Sequence, residues 1–220
     1  MIVTIDGPAG AGKSTVAKRL ARRLGFGYLD TGAMYRAVAL AGQRAGVDWS
    51  NDADIVRLTQ SADVRWQGDR ILLNGEDVSD PVRSNEITAA VGRAADHPLV
   101  RQHLVALQRI AAEGVSLVTE GRDQGSVVFP DAACKIFLDA AAEERARRRV
   151  EDFRARGEKV DFASVLADIN RRDREDRSRP VGPLVKPADA VTVNTDGLTI
   201  DEVVDQLQRI ARFRLSSEQS

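Results

Sequence analysis

The 220-residue sequence is poor in the residues on which several common kinds of site depend. Its one cysteine, Cys134, cannot form an intramolecular disulfide, and with only two histidines there is no cluster suited to zinc. The simple interpretation of a single cysteine is that the protein works in a reducing compartment. The formal net charge is only -1, whereas proteins that bind nucleic acids or anionic membranes generally carry a basic excess. Any basic binding site must therefore be a local patch. The length of the chain is enough for one domain with a sizeable core.

Long apolar segments are missing as well. After Met1 the chain enters a short apolar run without the basic segment that opens a signal peptide, and no stretch has the length that spans a bilayer. We therefore expect a cytoplasmic protein that binds neither membranes nor nucleic acids.

Five short apolar runs predict buried strands, and helical patterns follow four of them. Continuous apolar strands that alternate with amphipathic helices are typical of an α/β fold, in which a parallel sheet is covered on both faces. Helices are predicted from about Lys13, from Pro98 and from Thr199, which forms a capping box with Glu202. The predicted strands are residues 2–5, 26–29, 115–119, 135–138 and 190–193.

Residues 63 to 79 interrupt this alternation. Short apolar stretches are separated there by Gly68-Asp69 and Asn74-Gly75, and both pairs are typical of hairpin turns. We therefore predict a small antiparallel insertion inside the α/β chain. Disorder is expected only after about Arg214.

A glycine-rich segment, residues 7–14, matches the phosphate-binding pattern G-x-x-x-x-G-K-[ST] in full. It follows a predicted strand and opens a predicted helix, so backbone N–H groups and the positive helix end would face a polyphosphate. Lys13 would reach the β- and γ-phosphates of ATP, and the Ser14 hydroxyl would bind Mg²⁺. The alternative, a glycine-rich turn with an exposed lysine, leaves the agreement of motif and context unexplained. The predicted ATP-binding residues are Gly7, Pro8, Ala9, Gly10, Ala11, Gly12, Lys13, Ser14 and Thr15.

The second predicted strand ends in a segment with the sequence Asp-Thr-Gly-Ala-Met-Tyr-Arg, residues 30–36. Thr31 is the predicted N-cap of the helix that follows. Tyr35 and Arg36 lie off its apolar stripe and would be free to face a ligand. An ordinary helix start with a surface arginine remains the alternative. The predicted stripe is Met34, Val38, Ala41 and Ala45.

A polar cluster follows the third predicted strand, where Glu120 precedes Gly121, Arg122 and Asp123. Because ligands bind α/β sheets at the carboxyl ends of the strands, Glu120 could influence Mg²⁺ through water. The turn at Gly121 would direct Arg122 and Asp123 into the same crevice. A salt-bridged loop is the competing interpretation.

The helix after Val160 has an apolar stripe that becomes charged. Positions 162, 165, 166 and 169 are apolar, and continuing by threes and fours reaches Arg172, Asp176 and Arg179. Inward charges are costly unless they are paired or bind a ligand, and arginine suits bidentate phosphate contacts. A solvated, salt-bridged helix end is the alternative.

The preceding helix carries Arg145 and Arg149 on one face, and a polar connection with Gly157 leads to the next helix. A mobile connection between two arginine-rich helices is typical of a lid that closes over phosphates. For each of these arginines a surface role remains open.

These motifs together resemble the bacterial cytidylate kinase family. The resemblance rests on the phosphate loop, the block at residues 30–36, the segment 120–132 and the arginines and aspartate at 172, 176 and 179. It covers residues 1 to about 212 in order. It implies one P-loop nucleoside monophosphate kinase-like domain over residues 1–220, with three layers, a five-stranded parallel core and helices on both faces. The monophosphate-binding insertion would span about 31–100, and a short helical lid about 150–165.

The resemblance also implies roles for individual residues. Thr31, Tyr35 and Arg36 would hold the acceptor nucleotide, and Arg101 would bind its phosphate. Gly92 departs from the family pattern, in which we expect a serine that contacts cytosine. Arg122 and Asp123 would meet the cytosine or the sugar, while Arg172, Asp176 and Arg179 would close over phosphates and ribose.

The predicted reaction is transfer of the ATP γ-phosphoryl group to CMP or dCMP, in pyrimidine nucleotide metabolism, by a monomeric enzyme. Mg²⁺ is the expected cofactor.

A kinase of a small hydroxyl metabolite, similar to shikimate kinase, would share the phosphate loop, and a nucleotide sensor would bind ATP without turnover. The predicted catalytic residues are Lys13, Arg122, Asp123, Arg172 and Arg179, and the predicted lid contacts to phosphate are Arg145 and Arg149.

Overall fold

A computed structural model of the chain describes residues 1–68 and 70–217, without the side chains of Asn85 and Ser217. The chain divides into two compact units. The first consists of Met1–Phe26 and the chain from Ser116 onward, and the second is Gly27–Val115. The position of Asp69, which belongs to the predicted Gly68-Asp69 turn, lies outside the described residues.

The described strands fall into a parallel and an antiparallel sheet. The five-stranded sheet has the order β2-β6-β1-β7-β8, which confirms the predicted α/β fold with a five-stranded core. The observed strands match the predicted runs to within two residues. They are β1 Ile2–Asp6, β2 Gly27–Asp30, β3 Val64–Gln67, β4 Arg70–Leu73, β5 Glu76–Asp77, β6 Leu117–Gly121, β7 Cys134–Asp139 and β8 Val191–Asn194.

Helices connect these strands, and short helical turns at Pro81–Arg83 and Gln124–Val128 add to them. Every helix in the described ranges is too short or too polar to cross a bilayer. The helices are α1 Lys13–Leu24, α2 Thr31–Arg44, α3 Asp52–Ser61, α4 Asn85–Asp96, α5 Pro98–Ala112, α6 Ala142–Ala155, α7 Phe162–Ser178 and α8 Ile200–Ser217.

In the first unit, β1 lies between β6 and β7, and four of its five residues are buried. Parallel pairing brings Ile5 opposite Glu120 on one side and Ile136 on the other. The carboxyl ends of β1, β6 and β7 therefore lie side by side. This edge is where α/β sheets hold ligands.

Helix α8 begins with the predicted capping box, which is confirmed. The Glu202 carboxylate accepts hydrogen bonds from the backbone N–H and the hydroxyl of Thr199. Ion pairs such as Arg19–Asp201, at 2.7 Å, join α8 to α1. The prediction of disorder after Arg214 is wrong for residues 215–217, which continue the helix because Leu215 is buried; residues 218–220 lie outside the described part.

Helices α6 and α7 form a hairpin that packs through a small apolar cluster. The chain reverses at Gly157, whose φ of 78° favours glycine. Phe162 is 42% exposed, so the buried stripe of α7 begins one turn later than the sequence indicated. The cluster consists of Ala146, Val150, Val165 and Ile169.

The second unit contains the antiparallel sheet β3-β4-β5, which confirms the predicted insertion. Asn74 and Gly75 have φ angles of 52° and 83°, the positive pair that a two-residue hairpin turn requires. The core of this unit includes Tyr35.

Further aromatic rings pack within the second unit. Tyr28 and Trp66 pack edge to face, with ring centroids 5.9 Å apart. Trp49 covers Gly42 so closely that a Cβ atom there would lie 2.5 Å from its ring. Gly42 is therefore required for this packing.

Candidate functional site

The phosphate loop connects β1 to α1 and is held tightly against β7. Gly7 has a φ of 154°, and a Cβ atom there would lie 2.0 Å from the carbonyl oxygen of Leu138. Gly10 has a φ of 78° and its Cβ position lies 3.4 Å from the Cβ of Arg145. Only glycine fits at Gly7, so the predicted need for glycine in this loop has a steric cause.

Lys13 lies folded over the loop, and its ammonium group donates a 2.7 Å hydrogen bond to the carbonyl oxygen of Pro8. Burial, and after it the charge of Arg122, lowers the pKa of Lys13 to about 7. With this pKa part of the Lys13 side chain is a neutral amine near neutral pH, and that amine would take up a proton when negative charge arrives.

Ser14 and Thr15 follow on the exposed side of the first turn of α1. The Ser14 hydroxyl donates a 2.8 Å hydrogen bond to Glu120 Oε1 at the end of β6. The structure thus brings together the two residues that the sequence assigned to Mg²⁺. Within the described ranges, no group of three or more His, Cys, Asp or Glu side chains could hold a metal ion.

Asp6, the last residue of β1, organises the segment after the Arg122-Asp123 pair. Its two carboxylate oxygens accept hydrogen bonds from the backbone N–H groups of Gln124, at 2.8 Å, and Gly125, at 2.7 Å. Burial raises the pKa of Asp6 to about 6, although these two N–H groups act against the rise. The sequence analysis missed Asp6, because nothing in its local pattern indicates a contact with residues so distant in the chain.

A chain of charges connects the end of β6 to α7. Arg122 Nε lies 2.6 Å from Asp176 Oδ2, and Arg179 Nη2 lies 2.8 Å from Asp176 Oδ1. Burial acts to raise the pKa of Asp176, but the charges of Arg122 and Arg179 outweigh it and lower the pKa. Asp123, next to Arg122, is buried. The structure therefore brings together Arg122, Asp176 and Arg179, all of which the sequence predicted for the site.

Arg172 and Arg149 line a small crevice beside the phosphate loop. Burial, and then the charge of Arg149, lowers the pKa of Arg172. Two positive side chains around one crevice would gain from an anion. The crevice is lined by Ala9, Gly10, Arg149, Asp168, Ile169 and Arg172.

Arg145 is held in place by hydrogen bonds to other groups of the protein. Its guanidinium forms two hydrogen bonds to Asp173, at 2.6 and 3.1 Å, and donates to the carbonyl oxygens of Ala9, at 2.8 Å, and Ala140, at 2.9 Å. Asp173 was missed, because the helical pattern allowed either Arg172 or Asp173 to continue the stripe of α7. The structure buries Asp173 and Asp176.

In the second unit, Asp30 at the end of β2 caps α2. Its Oδ1 accepts a 2.8 Å hydrogen bond from the N–H of Ala33, so the prediction of Thr31 as N-cap is wrong by one residue. Asp30 lies 3.6 Å from Arg36 and 3.9 Å from Arg83, distances measured between carboxylate oxygen and guanidinium nitrogen. Arg83 was missed by the sequence analysis, because it follows a proline in a short turn rather than a periodic element.

Arg101 lies over the ring of Tyr35, with 5.6 Å between its guanidinium carbon and the ring centroid. It also donates a 3.2 Å hydrogen bond to the carbonyl oxygen of Ala95. Tyr35 is buried, so its ring serves as a support for Arg101 rather than as a freely exposed group. Gly92, on α4, has open space at its Cβ position.

The sequence model of the family described as cytidylate kinase matches residues 3–212. The chain belongs to the cytidylate kinase family. A cytidylate kinase of Rhodopirellula baltica is 49% identical over 96% of this chain and 93% of its own length. A cytidylate kinase of Mycolicibacterium paratuberculosis is 50% identical over 97% of this chain and 96% of its own length.

Membership of the cytidylate kinase family confirms the predicted enzyme class, a phosphotransferase of the kinase type. It also confirms the predicted function at the level of the family, cytidylate kinase. Among solved structures, an uncharacterized protein from Eubacterium ventriosum has a similar fold, with a TM-score of 0.53 and 15% identity over 96% of this chain and 98% of that one.

Proposed function

We propose that the protein transfers the γ-phosphoryl group of ATP to CMP or dCMP and so forms CDP or dCDP and ADP. The observation that carries the proposal is the connected set of charges in the first unit. Lys13 lies on the phosphate loop, and Arg122, Asp176 and Arg179 form one ion-pair chain. A charge array of this kind suits the stabilisation of a transferring phosphoryl group.

ATP would bind with its phosphates against the loop, within reach of backbone N–H groups and of Lys13. A polyphosphate beside Lys13 would restore its positive charge near neutral pH, because the pKa of about 7 reflects the free site. The residues proposed to hold ATP are those predicted from the motif, from Gly7 to Thr15.

The proposed cofactor is Mg²⁺, and the site chemistry fits it. Ser14 Oγ and Glu120 Oε1 are hard oxygen donors 2.8 Å apart at the phosphate loop. Mg²⁺ in kinases is usually bound by few protein oxygens, together with water and substrate phosphates. Ser14 would bind the ion directly and Glu120 through water, and the ion would neutralise developing phosphate charge.

The acceptor would be recognised by residues that already favour an anion. In the second unit, we propose Arg36 and Arg101 for the phosphate, with Thr31 and Tyr35 beside them. The separation of 3.6 Å between Arg36 and Asp30 is too long for a strong hydrogen bond, so a phosphate could replace it. In the first unit, the proposed acceptor residues are Arg122, Asp123, Arg172, Asp176 and Arg179.

The reaction needs no general base, because the second pKa of a phosphate monoester is about 6 and the acceptor oxygen is ionised near neutral pH. Catalysis then rests on positioning and on positive charge. An arginine in such a role can contribute roughly 10³- to 10⁵-fold in rate. Lys13, Arg122, Asp123, Arg172 and Arg179 are the proposed catalytic residues. Arg149 remains a predicted lid contact to phosphate, and Arg145 could reach a phosphate only with the one N–H that is not directed at Asp173, Ala9 or Ala140.

The test is ADP release by the purified protein with ATP, Mg²⁺ and one acceptor at a time: CMP, dCMP, UMP, AMP or shikimate. Turnover that depends on CMP or dCMP supports the proposal. Turnover with shikimate, or ATP binding without any acceptor-dependent turnover, overturns it. Light scattering of the same sample tests the expected monomer.

Replacing Lys13 with alanine provides a sharper test of the assigned site. We expect Lys13→Ala to abolish CMP-dependent ADP release, because the transferring group loses a positive charge held at the phosphate loop. Lys18→Ala, a change at a half-buried lysine on the same helix, is the matched control and should retain activity. Normal turnover by Lys13→Ala would contradict the assignment of the phosphate loop.

A further inference from the structure

Arg145 and Asp173 form a buried ion pair that touches the phosphate loop. Their side chains are only 4% and 8% exposed, and both carboxylate oxygens of Asp173 accept from the guanidinium. Asp173 is thus almost fully buried, with both of its oxygens directed at Arg145. A contribution of Asp173 to the site is therefore expected to act through Arg145.

Most N–H groups of the Arg145 guanidinium donate hydrogen bonds within the protein. An arginine side chain has five N–H donors. Four of them are directed at Asp173 and at the carbonyl oxygens of Ala140 and Ala9. The fixed fork geometry of the guanidinium means that Asp173, by holding two of these donors, also aims a third at Ala9.

The contact with Ala9 controls the direction of a peptide group in the phosphate loop. In a planar trans peptide, the carbonyl oxygen and the following N–H point in opposite directions. Holding the Ala9 carbonyl towards Arg145 therefore directs the Gly10 N–H to the other side of the loop. Gly10 has a φ of 78° and no Cβ atom, so nothing else in its own structure prevents this peptide from turning over.

We infer that Asp173 is a positioning residue which, through Arg145, fixes the Ala9–Gly10 peptide in the orientation that binds ATP phosphates. This role deepens the proposed function and rests on it. The pair joins α6 and α7, the helices whose other arginines line the crevice beside Ala9 and Gly10. The shape of the loop is thus coupled to the packing of these two helices.

Equilibrium binding of ATP to the complete protein, measured by calorimetry without an acceptor, tests the inference. Asp173→Asn keeps the size of the side chain but removes the charge and one acceptor oxygen. We expect the dissociation constant for ATP to rise about tenfold, which corresponds to one hydrogen bond to a charged group. The KM for CMP should stay within about twofold. Glu175→Gln, an exposed change on the same helix that also loses a pair with arginine, is the matched control and should match wild type.

Arg145→Lys supplies the second arm, because lysine keeps the buried charge but cannot reach both Asp173 and Ala9 in a fixed fork. In the Arg145→Lys background, Asp173→Asn should weaken ATP binding no further, since the effect acts through Arg145. Unchanged ATP affinity in Asp173→Asn, or independent effects in the double variant, overturns the inference. Binding of ATP by wild type without turnover of CMP would instead contradict the proposed function, so the two failures are distinguishable.

Discussion

Gly92 is a position where one substitution can restore a contact that the family pattern leads us to expect. It lies in α4 with open space at its Cβ position, so a serine would fit without moving a neighbour. We predict that Gly92→Ser lowers the KM for CMP about threefold to tenfold, as one added hydrogen bond would. Steady-state kinetics with varied CMP measures this change.

Gly92→Ala is the control for Gly92→Ser. Both changes should stabilise α4, by up to about 1 kcal/mol for alanine and less for serine, because glycine is a poor helix former. Only serine brings a hydroxyl group. If the two variants have the same KM for CMP, the added hydroxyl does not meet the base.

Asp6 predicts a specific dependence of stability on pH. Its pKa is about 6 in the folded protein and about 3.8 in the unfolded chain, so its contribution to stability is present below 3.8 and is lost as the pH rises through 6. Relative to Asp6→Asn, wild type should therefore be more stable at pH 5 than at pH 7.5, by about 1.4 kcal/mol. Urea unfolding at both pH values, without nucleotide or Mg²⁺, measures the difference.

Asp161→Asn is the control for this pH dependence. Asp161 caps α7 and its pKa is lowered by hydrogen bonds from Ser164, so its contribution is lost only as the pH falls below the ordinary range of aspartate. The gap between wild type and Asp161→Asn should hence be constant from pH 5 to pH 7.5. A constant gap for Asp6→Asn as well would mean that Asp6 titrates normally in the folded protein.

At the scale of elements, the end of α7 combines structural and chemical roles. Arg179 follows the helix directly and pairs with Asp176, and its side chain is only 9% exposed. We predict that Arg179→Ala lowers kcat at least about a hundredfold, because the transferring group loses a positive charge. The dissociation constant for ATP should change less than about threefold. Single-turnover kinetics and calorimetry measure the two quantities.

Arg177→Ala is the control for Arg179→Ala. Arg177 is exposed in the last turn of the same helix, so its replacement removes a positive charge from the helix end but leaves the Arg179 side chain in place. Its kcat should remain close to that of wild type. An equal loss of kcat in both variants would mean that the helix end, rather than the Arg179 side chain, is needed for turnover.

The sequence predicted elements better than it predicted their contacts. Continuous apolar runs identified the parallel strands, and Asn74-Gly75 identified a hairpin turn, because both signals are local. The choice between Asp30 and Thr31 as N-cap was not decided by pattern, since both residue types cap helices. The burial of Asp173 depends on Arg145 in another helix, and that of Asp6 on N–H groups more than a hundred residues away.

At the scale of the whole molecule, the lone cysteine reports on opening of the first unit. Cys134 begins β7 and is buried, so a thiol reagent can reach it only after the sheet opens. ATP at about 100 times its dissociation constant should slow labelling about a hundredfold, because binding stabilises the closed form. The rate of thiol labelling with and without ATP measures this protection.

Lys13→Ala is the control for thiol labelling, and ATP should protect it much less than wild type. Rapid labelling of the native protein, unaffected by ATP, would contradict the burial of Cys134.

The packing of aromatic rings in the second unit also has an optical consequence. Both tryptophans and both tyrosines of the chain, at positions 28, 35, 49 and 66, fall within Gly27–Val115. The tryptophan and tyrosine fluorescence of this protein is therefore emitted by one unit alone, while its thiol lies in the other. The natural sequence thus carries one reporter in each unit, tryptophan fluorescence in the second and thiol reactivity in the first, and unfolding of each unit can be followed without substituting a residue.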